Sequence, residues 1–181
     1  MWVSTTSVLA PTSGGSRDRV DVFEASTGAQ LASVAVGRGP FFLAMSPDGK
    51  RVDVADKESC DVKQIDTATF KVVATVHLSI HDGCPYGIAA GAGDNVAYVV
   101  TGRDHTLEMG HAGDSFETID FSKAAVSSVR EVGVDPVTVA TLHGNPLAFV
   151  VDADRPTVYA VNPANGHIVA RWRLGAVTPS S

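Results

Sequence analysis

The chain is 181 residues long, with 14 basic and 20 acidic side chains and a formal net charge of −6. At 44% hydrophobic and 19% charged it can bury a core, which excludes a disordered tail. Its acidity argues against a sequence-independent grip on nucleic-acid phosphates, so no nucleic-acid partner is expected. No uncharged apolar run approaches the about 18 residues that a membrane-spanning helix needs, and two cysteines with no Cys-x-x-Cys pair cannot build a disulfide framework.

In chain order, Trp2-Val3-Ser4-Thr5-Thr6 reads as a strand, and Val20-Asp21-Val22-Phe23-Glu24 as its partner. The clearest stretch follows. Strands are predicted at 41–45, 51–55, 62–66 and 71–78, with Val52 and Val54 on one face of the second. Ser46-Pro47-Asp48-Gly49 and Thr67-Ala68-Thr69 supply turns between them, and Asn165-Gly166 supplies a hairpin turn near the C-terminus. No helical 3.6-residue stripe of useful length occurs, so the chain is predicted to be all-β.

The strands repeat. Val20–Glu24, Val62-Lys63-Gln64-Ile65-Asp66, Phe116-Glu117-Thr118-Ile119-Asp120 and Val158-Tyr159-Ala160-Val161-Asn162 each run into a turn, their last residues 42, 54 and 42 positions apart. Pro40, Pro85 and Pro136 mark the junctions, which places a three-residue insertion before Pro85 and a nine-residue insertion before Ser115. Asp66, Asp120 and Asn162 at one repeat position read as turn caps that bond backbone N–H groups. Four strands in about 42 residues is the size of one β-propeller blade. One propeller domain is therefore expected over 1–175, with a partial blade at 1–36, full blades at 40–78, 85–132 and 136–174, and a polar tail at 176–181. Aligning Trp2–Thr6 with Tyr98-Val99-Val100-Thr101 leaves the first blade without its inner strand. About four blades fall short of a seven-bladed ring. A piece of a longer propeller is the reading preferred over an unusual four-bladed ring or a pair of copies, and unpaired blade edges are expected to drive self-association.

Pro40, Ser46-Pro47-Asp48-Gly49-Lys50-Arg51, Ile65-Asp66-Thr67-Ala68-Thr69 and Lys71-Val72-Val73-Ala74-Thr75-Val76 closely resemble the YVTN-type propeller repeat, and Ala97-Tyr98-Val99-Val100-Thr101 is similar to its name-giving strand. Two features depart from that pattern: Asp53 stands where an aromatic is usual, and Leu142-His143-Gly144-Asn145 replaces the Ser-Pro-Asp-Gly turn. The resemblance implies a propeller fold and a secreted or periplasmic setting, although residues 1–11 carry no signal-peptide pattern.

Both insertions fall on one face of the blades. A ligand or protein partner is expected there, at His81, Asp82, Tyr86, Arg103, Asp104 and Asp114. Imidazole and carboxylate at His81, His105, Glu108 and His111 suit a transition metal, yet their spacing matches no standard zinc signature, and a solvated polar loop with surface histidines is the reading preferred. Cys60 and Cys84 lie on the same face and read either as a disulfide or as two free thiols. Gly113-Asp114-Ser115 with His111 and Asp104 contains the ingredients of a hydrolytic triad, but there is no Gly-x-Ser-x-Gly elbow, and Ser115 reads as the first residue of a strand. Asp152-Ala153-Asp154 lacks the rest of a calcium loop and reads as a turn. The function expected is a non-enzymatic binding or scaffold module. The alternative, which rests on the resemblance, is a propeller subunit of a metal-dependent or redox (amine-oxidising-like) enzyme or a lyase.

Overall fold

A computed structural model of the chain describes residues 1–5, 18–78, 83–102, 114–142 and 144–175. These residues form fifteen antiparallel strands in four sheets and no helix, so none is long and apolar enough to cross a membrane. The first sheet has three strands, β1 (Trp2–Thr5), β2 (Arg19–Phe23) and β3 (Gln30–Ala35). The second orders β4 (Pro40–Met45), β5 (Arg51–Asp56), β6 (Asp61–Asp66) and β7 (Lys71–His77) as a simple meander. The third repeats it with β8 (Cys84–Ala90), β9 (Val96–Gly102), β10 (Ser115–Asp120) and β11 (Ala125–Glu131), and the fourth with β12 (Pro136–Thr141), β13 (Ala148–Asp152), β14 (Thr157–Asn162) and β15 (His167–Arg173). The architecture is that of a β-propeller with three full blades and one three-stranded blade.

Alternation of side chains along each strand gives every blade two faces, and each internal face is covered by the neighbouring blade. Val20 and Val34 of the first blade pack on Val52, Val54 and Ile65 of the second. Ala55, Val62 and Val76, on the other side of the second blade, meet Ile88, Val99 and Ile119 of the third. Tyr98, Val100 and Phe116 of the third meet Val139, Val150, Tyr159 and Val161 of the fourth. Val20, Val62 and Phe116 hold one repeat position and are all fully buried. At about 1.5–3 kcal/mol for each large buried side chain, these three interfaces dominate the favourable side of folding.

Each blade also bends in the same places. Between its two outer strands the register slips by one residue, after Val22, Gln64, Thr118 and Ala160 in turn, leaving Leu31, Val73 and Val169 unmatched on the outside of their blades, where they are exposed. The turn that follows closes on a residue in the left-handed region: Phe70 at φ 54°, Ala124 at 49° and Gly166 at 70°. Asp66 and Asn162 cap these turns, Asp66 Oδ1 accepting from the Ala68 and Thr69 N–H groups and Asn162 Oδ1 from that of Ala164. A second slip lies between the two inner strands, where Phe41, Tyr86 and Val137 are unmatched. Bulges of this kind raise the local twist and re-aim a side chain.

The departure at Asp53 has a structural counterpart. Register equates Asp53 with Tyr98 and Phe149, the aromatics of the next two blades. Asp53 is almost fully buried and accepts from Gln64 Nε2 at 3.0 Å, which also donates to the Asp94 carbonyl of the third blade at 3.0 Å. A hydrogen-bonded bridge thus replaces an aromatic contact. Burial pushes the Asp53 carboxyl up to about 7, against the lowering effect of Gln64 and Arg51.

Candidate binding face

The loops that lead into the inner strands and the turns that join the two middle strands emerge at one end of the blades. Cys60 and Cys84 meet there. Their sulfurs are bonded with Cα atoms 4.6 Å apart, which ties the middle turn of the second blade to the inner strand of the third. Cys60 takes φ 52° as the last residue of its turn, and its carbonyl accepts the Leu78 N–H.

Beside this tie, the inner bulges carry Phe41 and Tyr86 to adjoining places at the starts of β4 and β8. Their ring centroids are 5.7 Å apart and nearly edge-to-face, and Phe42 packs edge-on against Phe41 at 5.0 Å. Lys57 lies over this pair, its Nζ 4.2 Å from the Tyr86 centroid and 6.0 Å from that of Phe41. Phe41 is 49% exposed. An aromatic surface that stays in water on a loop-rich end, with a cation poised above it, is chemistry suited to contact rather than to folding.

Beneath this cluster lies a buried polar junction. Gly37 donates its N–H to Asp56 Oδ2 at 2.8 Å, and Arg38 donates its N–H to Ser59 Oγ at 2.9 Å, which fastens the loop entering β4 to the turn after β5. Residue 37 must be glycine, because a Cβ there would fall on Ser59 Oγ, Asp56 Oδ2 and Asp61 Oδ1 together. Asp56 stands directly across from Asp61 in the β5–β6 pair. Lys63 Nζ lies 3.0 Å from Asp61 and 3.8 Å from Asp56, and His77 Nδ1 lies 3.7 Å from Asp61 Oδ2. Burial, and then the Asp61 carboxylate alongside, hold the Asp56 carboxyl well above the usual carboxylate range, although the Gly37 N–H and Lys63 oppose them. Asp56 Oδ1 is buried and has no hydrogen-bond partner among the described residues.

Of the residues singled out from sequence, Tyr86 lies in the aromatic cluster and Cys60 and Cys84 beside it. Asp114 lies immediately before β10, its carbonyl accepting the Val132 N–H at 3.0 Å. His81, Asp82, Arg103, Asp104, His105, Glu108 and His111 lie outside the described residues. Among those that are described, no three His, Cys, Asp or Glu side chains converge as metal ligands. Ser115 opens β10 as a buried strand residue, its hydroxyl engaged with Thr101 Oγ1 at 2.6 Å and Glu117 Oε1 at 3.0 Å. Asp152 precedes a plain turn, accepting from the Arg155 N–H at 3.0 Å.

The sequence reading did not single out Phe41, Lys57, Asp56 or Asp61. A signal was available for two of them. Phe41 follows Pro40 as Tyr86 follows Pro85, and Asp56 stands as far from Pro40 as Asp152 does from Pro136. A further cavity, of about 540 Å³, lies at the opposite end of the blades, lined by Met45, Ala90, Tyr98, Thr141, Leu142 and Pro163.

No family model and no curated protein sequence matches the chain, so the YVTN resemblance has no support beyond its own residues. Among solved structures, the chain is similar to hydrazine synthase from Kuenenia stuttgartiensis, with a TM-score of 0.72 at 20% identity over 86% of this chain and 43% of that one. It is also similar to U3-55K (TM-score 0.66, 13% identity, 86% and 45% of the two chains) and to the WD40 repeats of RRP9 (TM-score 0.67, 13% identity, 83% and 44%). The chain spans less than half the length of these propeller-fold neighbours, and at such identities the likeness establishes the fold.

Proposed function

We propose that the chain is a non-enzymatic β-propeller binding module that takes a protein partner on its loop-rich end. The observation that carries this reading is the exposed Phe41 ring set edge-on against the half-buried Tyr86 beneath Lys57. Tyr is among the side chains that carry most of the energy at protein interfaces when a partner desolvates it, and Phe41 and Lys57 extend the surface around Tyr86. Their setting is rigid. The disulfide, the Gly37–Asp56 bond and the Arg38–Ser59 bond hold both inner-strand starts in place, so little ordering entropy opposes contact. Two of the propeller neighbours, U3-55K and the RRP9 WD40 repeats, are consistent with an interaction scaffold, and a small-molecule ligand at the same end is the narrower form of this reading.

The test is site-directed photocrosslinking in the native host, with a benzophenone amino acid at Phe41 and, as a control, at Val73 on the outer edge. A discrete adduct from position 41 that is absent from position 73, and is lost when Tyr86 and Lys57 are both changed to Ala, supports the reading. Identical products from both positions would refute it.

A further inference from the structure

The cavity of about 540 Å³ at the end of the blades opposite the aromatic cluster has walls from three consecutive blades. Met45 stands at the end of β4, Ala90 and Tyr98 belong to the third blade, and Leu142 and Leu147 to the turn between β12 and β13. Thr141 Oγ1 donates to the Ala90 carbonyl at 3.0 Å, which fastens the inner strands of the third and fourth blades to each other. The turn that follows is held as well, the Asn145 N–H donating to the Leu142 carbonyl at 3.0 Å and the Leu147 N–H to Asn145 Oδ1 at 2.9 Å. The cavity is therefore preformed. Its volume falls within the about 300–1,000 Å³ of pockets that enclose drug-sized molecules.

Its chemistry contrasts with that of the other end. The loop-rich end gathers Arg38, Lys57, Glu58 and the Asp61–Lys63 pair, whereas none of the described residues that line the cavity is charged. Met45 and Leu142 stay half-exposed beside it. Tyr98 is the polar exception in an apolar wall. It lines the cavity although only 7% exposed, and its ring is held 5.6 Å from that of the fully buried Phe116. Among the described residues its hydroxyl has no hydrogen-bond partner. Register gives Tyr98 the place of Phe149 in the next blade, so the ring serves packing and the hydroxyl is what this blade adds. Water in such a space finds few partners, and an apolar molecule gains by displacing it. A charged one would lose its hydration with nothing in the wall to replace it.

We propose that this cavity binds a neutral, mainly apolar small molecule that presents one hydrogen-bond acceptor, such as a carbonyl oxygen, to the Tyr98 hydroxyl. The site is separate from the partner surface at the loop-rich end. Anions are disfavoured twice, by the uncharged wall and by the net charge of −6.

Fluorescence titration of the full chain with Prodan, a neutral naphthalene ketone whose emission moves to the blue in apolar surroundings, tests this. The expected result is a saturable blue shift with a midpoint of about 10–200 µM, the range for a ligand of that size. Leu142→Asp sets a charge in the wall and should weaken binding tenfold or more. Tyr98→Phe keeps the ring, as Phe149 does in the next blade, and should weaken it about three- to tenfold. An excess of the anion naphthalene-1-sulfonate should leave the Prodan signal in place. Circular dichroism and a cooperative melt establish that each variant is folded, and should Leu142→Asp fail to fold, Met45→Asp sets the charge from the second blade instead. No saturable shift, a titration that the Asp variant leaves unchanged, or displacement of Prodan by the sulfonate would each overturn the site. A titration that Tyr98→Phe leaves unchanged would overturn the hydrogen bond to the ligand.

Discussion

Asp56 and Asp152 hold the same place in the second and the last blade, and each fastens the loop that enters its own inner strand. Gly37 donates to Asp56 at 2.8 Å and Val134 donates to Asp152 at 2.8 Å. A glycine is required at the first donor itself and just before the second, because a Cβ at Gly37 or at Gly133 would strike the carboxylate. Across the strand pair the two blades part. Asp56 faces Asp61, with Lys63 next along the strand, whereas Asp152 faces Thr157, with Tyr159 next. The second blade likewise buries Asp53 and Gln64 where the third has Tyr98 and Thr118. One template thus tolerates either a polar or an apolar interior, provided that every polar substitution arrives with its partner. A lone buried carboxylate would be costly, and here Asp53 is matched by Gln64 and Asp61 by Lys63.

The largest expected effect breaks a feature that the second blade has and the last lacks. Cys84→Ser opens a cross-link that closes 24 residues, and should cost about 3 kcal/mol in urea unfolding. Next, Asp152→Ala leaves the Val134 and Arg155 N–H groups without their acceptor and should cost about 2 kcal/mol. Asp56→Asn should differ from it in kind. The amide still accepts from Gly37 and no longer confronts Asp61, so at pH 8 the variant is expected to match or exceed the parent in stability. A loss there as large as that of Asp152→Ala would mean that the two junctions are not set apart by Asp61.

A pH series sharpens the same contrast. Asp56 and Asp53 are both raised in the folded chain, so between about pH 4 and neutrality the folded state holds protons that the unfolded state has released. Stability from these groups is therefore full below pH 4 and declines as pH rises. Thermal midpoints measured across pH 4–8 should show a shallower decline in Asp56→Asn, and a flatter profile still when Asp53→Asn is added. The smallest effect is expected at the turn caps. Asp66 is held low by the Thr69 N–H and hydroxyl and by Arg51, and Asn162 does the same work with a neutral amide. Asp66→Asn should thus move the midpoint by no more than about 2 °C, less than any change at the buried junctions.

These contrasts mark how far the residues could be read in order. The all-β class, the 42-residue period, the four strands of a blade and the role of Asp66, Asp120 and Asn162 as turn caps were legible, because strand alternation and turn chemistry act over a few neighbouring positions. The pairing of the first strand, Trp2–Thr5, with β2 was legible too. Tyr86 was singled out from sequence, but Phe41 and Lys57, the residues it meets, were not. Both cysteines were noted without a decision between thiols and a bond.

What remained hidden depends on distance along the chain. Phe41 meets Tyr86 only because two blades turn their inner bulges toward each other, and a bulge is a one-residue slip that no periodicity announces. Asp56 and Asp61 look like ordinary surface carboxylates until a neighbouring blade and the Gly37 loop bury them. The sequence by itself determined the repeating unit, since local backbone preference and period-two patterning specify a strand and its turn wherever it lies. Tertiary structure alone decided which face of each blade is covered, which carboxyls lose their water and which aromatic side chains stay exposed, because burial belongs to the packing of blades and not to any one of them.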